Sequence, residues 1–335
     1  PQGSASQVTG WWLFIPDFQV ATGVAQTTKD TMAVLICGSL AFDTIMGFEG
    51  RFAEQILPDQ LHILNVSFLV PALRRDFGGC AGNIAYSLRL LGGEAVPMAM
   101  LGSDGESYLQ RLQALGITTR CVGQVQDTYT AQAMIMTDRD NNQITAFHPG
   151  AMMQAHTQTI GAGNAQGIRL GIIAPDGRDA MLQHAQQMHA AGIPFVFDPG
   201  QGLPMFSGDE LLRFVEQATW VTVNDYEGKM LCERTGLDLA GLSRKVQGLV
   251  VTLGGKGCEV WERGQCTLVA PVAPAAVVDP TGCGDAWRGA LLFGLERGWP
   301  MARCAELGNR MGALKIAARG PQNYVLDFDP AIVAA

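Results

Sequence analysis

From Met32 onward the chain alternates short apolar runs with longer segments of helical spacing, a rhythm that restricts it to folds built on a parallel sheet. The runs Ala33-Val-Leu-Ile-Cys37, Ala95–Met100, Gly171–Ala174, Pro194–Phe197, Trp220–Val223 and Leu249–Leu253 are bounded by Gly, Pro or Asp and read as buried strands. Strands joined through helices run parallel and require helices on both faces, which predicts an α/β fold of three layers, α/β/α. Two stretches break the rhythm, Gly47–Phe77 and Gln132–Phe147. Their alternating or β-branched segments, Leu64-Asn-Val-Ser-Phe-Leu-Val70 and Gln143-Ile-Thr-Ala-Phe147, predict a small β lid in two segments, at about 44–77 and 126–150.

Residues 1–31 carry no such periodicity, so Met32 reads as a start and the stretch before it as a leader outside the fold, the alternative being a short docking arm. The fold proper is expected over 32–335. With 47% hydrophobic and 16% charged residues in 335, the chain can bury a large core. Its net charge is −8 and its 23 Lys and Arg residues are scattered, which argues against a nucleic-acid partner. The eight cysteines show neither CxxC nor zinc-ligand spacing and read as free thiols of a cytoplasmic protein. No apolar run reaches the roughly 18 residues of a spanning helix, and Trp11–Ile15 lacks the basic residue that precedes a signal segment, so no membrane partner is expected.

The chemistry concentrates in two glycine-rich turns. Asp279-Pro-Thr-Gly-Cys-Gly-Asp285 runs into a segment whose Trp287, Leu291 and Leu295 form one helical stripe. Backbone N–H groups can converge in such a turn without Cβ obstruction, and the helix dipole adds positive potential, so it forms an anion hole for a phosphoryl group. Asp285 stands at its mouth. Asp is also a favoured N-cap, but beside an anion hole a carboxylate can take the proton of an alcohol that attacks a γ-phosphate. Gly282-Cys-Gly284-Asp-Ala-Trp287 has Trp where a dinucleotide fingerprint needs Gly or Ala, and Gly255-Lys256 is followed by Gly257 rather than the Ser or Thr of a Walker A loop.

Upstream, Leu249-Val-Val-Thr-Leu253 leads into Gly254-Gly-Lys-Gly257, either a hairpin turn or a bare backbone against which a base or triphosphate can lie. Asn224 and Glu227 fall on one face of a first helical turn, as a capping pattern or, for Glu227, as a water-mediated holder of Mg²⁺. Near the start, Gly38-Ser-Leu-Ala-Phe-Asp43 ends the first strand, so Asp43 is either a turn residue or an acceptor for vicinal hydroxyls. Phe77-Gly-Gly-Cys-Ala-Gly-Asn83 then opens a helix marked by Ile84, Leu88 and Leu91, and its paired glycines permit a hinge for the lid.

The two glycine motifs, their order and their separation resemble the ribokinase (PfkB) family of sugar and nucleoside kinases, over residues 32 to about 325. The resemblance implies an ATP-dependent phosphotransferase with Asp285 as base and the amides of Gly282, Cys283 and Gly284 as anion hole. It further implies Ser39, Asp43, Gly78, Gly79 and Asn83 around the acceptor's hydroxyls, with Asn224, Thr252, Gly254, Gly255, Gly257 and Asn309 toward ATP. Glu227 is implied for Mg²⁺, with a monovalent cation such as K⁺ near the second motif. Cys283 and Pro280 depart from the family's commoner Ala and Thr; with Asn224-Asp-Tyr-Glu227 and Gly320-Pro-Gln-Asn323 they resemble bacterial adenosine-kinase-like members. An aromatic lid bearing Phe68 and Phe147 suits a purine, although either ring can equally fill the lid's own core. A ribokinase- or fructokinase-like sugar kinase and a non-catalytic nucleoside-binding regulator are the alternatives. A monomer and a homodimer are both compatible with the patterning.

Overall fold

The structure, a computed structural model, describes residues 33–56, 65–140, 142–161 and 163–329. The expectation for residues 1–31 lies outside them. The chain runs β1 (Ala33–Cys37), β2 (Ala41–Gly47), α1 (Phe52–Gln55), β3 (Ala72–Gly78), α2 (Cys80–Leu90), β4 (Glu94–Leu101), α3 (Glu106–Ala114), β5 (Cys121–Gln124), β6 (Ala131–Thr137) and β7 (Gln143–His148). It continues with β8 (Ile168–Ile173), α4 (Arg178–Ala190), β9 (Phe195–Phe197), α5 (Gly208–Gln217), β10 (Trp220–Asn224), α6 (Asp225–Thr235), α7 (Leu239–Ser243) and β11 (Gly248–Thr252). β12 (Cys258–Glu262), β13 (Gln265–Val269), α8 (Cys283–Glu296) and α9 (Met301–Ile316) complete it.

The large sheet has the order β13-β12-β11-β10-β9-β8-β1-β4-β5, parallel from β11 to β5, with β12 and β13 antiparallel at one edge. Successive side chains on a strand point to opposite faces, and β1 divides accordingly. Val34 and Ile36 enter a core built with α2, α3, α8 and α9, while Leu35 and Cys37 enter a second core built with α4, α5, α6 and α7. Burial on both faces is why these strands read as continuous apolar runs, and it yields the expected three layers. The order reverses at β1: the chain goes to β4 and β5 on one side, then returns to β8 on the other. That reversal opens a crevice at the carboxyl ends of β1 and β8.

A separate four-stranded sheet has the order β3-β2-β6-β7. The strand expected at Leu64–Val70 is not formed: residues 65–70 have no regular structure, and the strand falls at Ala72–Gly78 instead. Phe68 turns its ring into a cluster with Phe48 and Phe52, with centroids 5.0 and 5.3 Å apart, so the apolar residues of this stretch serve local packing. Ala72–Gly78 is polar through Arg74, Arg75 and Asp76, and takes strand form because it pairs in register with all of β2.

Two glycines fix how the helices of the two motifs meet. Gly79 has φ of +83°, and a Cβ there would stand 2.5 Å from the Ser39 carbonyl oxygen, so the turn into α2 admits no side chain. Gly289 lies against α2, where a Cβ would come within 2.5 Å of Ser87 Cβ.

Candidate active site

The amino ends of α2 and α8 converge. Asn83, in the first turn of α2, donates from Nδ2 to Asp285 Oδ2 at 2.8 Å, joining the two glycine motifs through their side chains. Asp285 does not cap its helix, because the N-cap of α8 is Gly282 and no side chain accepts there. Asn83 is itself held: Gln322 Nε2 donates to its Oδ1 at 3.0 Å and to the Tyr108 hydroxyl at 2.9 Å, and that hydroxyl donates to the Gly78 carbonyl at 2.6 Å. Neither Tyr108 nor Gln322 is identifiable as a site residue in the sequence; the one signal is the late Gly320-Pro-Gln-Asn323 turn. Both are buried, so this network fixes the Asn83 amide before any ligand arrives.

Burial lifts the Asp285 carboxyl from 3.8 to about 6; the Asn83 bond and Arg288 oppose the rise, and Asp198 and Asp43 add to it. A base with a value nearer the working pH accepts a proton more readily than an ordinary Asp. Arg288, one turn further along α8, makes a bidentate ion pair with Asp198, with Nη2 2.6 Å from Oδ1 and Nε on Oδ2. Its Nη1 donates to the Gly284 carbonyl at 3.2 Å, and its Nη2 stands 3.9 Å from Glu227 Oε2.

Asp43 is buried in β2. A Cβ at Gly78 would stand 2.4 Å from Asp43 Oδ2, so the glycine makes room for the carboxylate. Its pKa is also lifted to about 6, by burial first and then by Asp76 and Asp279, with Arg74 opposing. Cross-strand register puts Asp76, Asp43, Ala133 and Phe147 in one row and hence on one face of the small sheet. Phe147 is 56% exposed there, whereas Phe68 is partly buried in its own cluster with Phe48 and Phe52. Ser39 Oγ accepts from Cys80 N at 3.2 Å, so this hydroxyl supports the start of α2.

Both carboxylates titrate near 6, which sets an expected pH profile. In its expected role Asp285 takes a proton only as the carboxylate, and a protonated Asp43 can no longer offer both oxygens to vicinal hydroxyls, so kcat/KM for the acceptor is expected to fall as pH drops through about 6, with a limiting slope above one. The Asp43→Asn variant removes one of the two titrations, and its acid limb is expected to fall with a slope of one.

On the other side of the second motif lies a cleft of about 690 Å³, its open mouth included. Thr252, Gly254, Gly255 and Gly257 of the β11–β12 turn line it, facing Cys283, Gly284 and Asn309. Glycines leave this wall bare, and Trp287, itself buried, reaches the lining from beneath. Asn309 shapes the wall and does not offer it a free amide: its Oδ1 accepts from Trp287 Nε1 at 3.1 Å, and its Nδ2 donates to the Ala270 carbonyl at 2.8 Å.

Of the three amides expected to form an anion hole, one already has a partner within the protein. Cys283 N–H closes a turn onto the Pro280 carbonyl at 3.2 Å, while Gly282 and Gly284 lie at the N-cap and in the first turn of α8, where helix amides lack intrahelical acceptors. Burial pushes the Cys283 thiol up to about 11, so it stays uncharged beside this turn.

Asn224 and Glu227 form a reciprocal capping box on α6, with Glu227 N donating to Asn224 Oδ1 at 2.7 Å and Asn224 N to Glu227 Oε2 at 2.9 Å. They do not line the cleft. Among the described residues no group of three or more His, Cys, Asp or Glu could hold a metal ion. With one oxygen committed to the cap and Arg288 nearby, Glu227 fits a Mg²⁺ that keeps its waters and takes phosphate oxygens, not a directly caged one.

The profile of the pfkB family carbohydrate kinases matches residues 53–327. The nucleoside kinase of Methanocaldococcus jannaschii is 27% identical over 297 residues, covering 88% of this chain and 94% of that protein. Its solved structure superposes with a TM-score of 0.80. The nucleoside kinase of Burkholderia thailandensis, solved in complex with inosine, is 53% identical with a TM-score of 0.78, covering 87% of this chain and 93% of that one. Its ligand-free structure has a TM-score of 0.79 at 53% identity, covering 90% of this chain and 98% of that one. Matched from β-lid to final helix by the family profile, the chain belongs to the pfkB family of carbohydrate kinases.

Proposed function

We propose that this kinase transfers the γ-phosphate of ATP to the 5′-hydroxyl of a purine nucleoside, with adenosine as its preferred acceptor. The observation that carries the proposal is Asp285, held by Asn83 between two helix amino ends, with Gly284 opening onto the cleft on one side and Asp43 close enough on the other to raise its pKa. ATP occupies the glycine-walled cleft. As the acceptor oxygen bonds to the γ-phosphorus, its O–H bond breaks toward Asp285, and the bond to the β-phosphate breaks with its electron pair leaving on ADP. The N–H groups of Gly282 and Gly284 face the charge that develops on the transferred group. Asp43 accepts from the ribose hydroxyls, and the exposed ring of Phe147, on the same sheet face, covers the base. Glu227 would hold, through water, a Mg²⁺ bound with the nucleotide, and that ion would supply neutralisation of phosphate charge.

That the 53% identical Burkholderia relative was solved with inosine supports a purine nucleoside as the acceptor class. The Phe147 row favours the same class, because a bare sugar presents no flat face to the ring. Initial-rate measurements of ADP release with adenosine, inosine, ribose and fructose test the proposal through kcat/KM. Adenosine is expected to rank first, with inosine next. A sugar ranked first would move the acceptor while keeping the mechanism, and silence with all four would leave the non-catalytic reading.

A further inference from the structure

Helix α9 carries a buried lysine. Lys315 is 0% exposed, and its ammonium donates to the backbone carbonyls of Asp279 at 2.7 Å and Ala318 at 3.1 Å. Asp279 opens the second glycine motif, and Ala318 lies just past the end of α9. A buried ammonium is costly unless its charge is met, yet the nearby Asp279 carboxylate is committed elsewhere. Its Oδ1 accepts from Thr281 N–H at 3.0 Å, and its Oδ2 accepts from Gly320 N–H at 2.9 Å and from Arg74 at 3.2 Å. The direct partners of the ammonium are therefore carbonyl dipoles, the kind of oxygen that replaces the hydration shell of a monovalent cation. Backbone bonds from Val278 and Asp279 to the Ile316 carbonyl, 2.8 and 3.1 Å, close the same junction.

The family resemblance implies a monovalent cation near this motif, and the residues present do not fit one. The two carbonyls are taken by Nζ, and a second cation would stand against a like charge.

We propose that Lys315 is a tethered substitute for that cation: its ammonium clamps the start of the Asp279–Asp285 turn to the end of α9, and phosphoryl transfer proceeds without K⁺. Lys315 is a positioning residue and touches no reacting atom. The inference rests on the kinase reading above, so its test has a thermal arm independent of turnover.

Turnover and melting temperature are measured in tetramethylammonium, sodium and potassium chloride at equal ionic strength, for the wild type and for Lys315→Ala. The wild type is expected to be indifferent to the salt in both readouts. Lys315→Ala is expected to lose about 10²-fold in kcat through a displaced turn. Potassium, but not the bulkier tetramethylammonium, should restore part of that loss and raise the variant's melting temperature. A wild type that requires potassium or melts higher in it overturns the proposal, as does a folded variant that keeps full activity or responds to no small cation. Should Lys315→Ala fail to fold, the wild-type salt series decides alone. Absence of wild-type turnover in every salt would strike the kinase reading, while cation-dependent melting of the variant would still support the clamp.

Discussion

Replacing Asp285 by Asn is expected to lower kcat by about 10²–10⁴-fold, the usual consequence of losing a general base. The substitution keeps the local frame: an amide oxygen can still accept from Asn83 Nδ2, and the N-cap of α8 is Gly282, which is unchanged. ATP affinity, followed by calorimetry, should stay within a few-fold of the wild type, because the cleft walls draw nothing from this side chain. The acid limb of the kcat/KM profile should lose the Asp285 titration near 6 in the residual activity. Turnover within a few-fold of the wild type would remove Asp285 from the proton transfer and leave only positioning.

The largest effect on stability is expected at Arg288. It is 6% exposed and Asp198 only 2%, and the pair lies where α8 meets the carboxyl end of β9. Arg288→Met leaves the Asp198 carboxylate buried without its counter-charge and with only the Gly200 N–H donating to it, a loss of about 3–5 kcal/mol, read as a lower urea midpoint. Burial already pushes Asp198 up, with Arg288 opposing, so in the variant the carboxyl takes a proton more readily. The folded variant then binds a proton that the unfolded chain has released, so its deficit is larger at about pH 8 than at about pH 5. Adding Asp198→Asn removes the stranded charge and should recover much of the loss. An Arg288→Met protein of wild-type stability at both pH values would show that the pair contributes nothing to the fold.

What the sequence could disclose follows from the range of the interactions. Strands buried on both faces announce themselves as apolar runs, so β1, β4, β8, β9, β10 and β11 were all legible, as were the glycine turns that no other residue can make. β3 was hidden because its polar residues are ordered by pairing with β2 and not by their own pattern. The partners of the site residues lie far along the chain: Gln322 meets Asn83 across 239 positions, Arg288 meets Asp198 across 90, and Lys315 meets Asp279 across 36. No local periodicity encodes such contacts. Asn309 and Cys283 illustrate the converse, since their positions were readable but the atoms that bind them elsewhere were not.

Phosphorus NMR of the product formed from ATP and adenosine reveals whether the nucleoside's 5′-oxygen is the atom phosphorylated. The expected spectrum shows ADP and adenosine 5′-monophosphate rising in equal amounts, identified by coupling of the new phosphorus to the 5′-methylene protons. Phosphorus on a 2′- or 3′-hydroxyl, or ADP accompanied only by inorganic phosphate, would rule out 5′-phosphorylation as the reaction of this site.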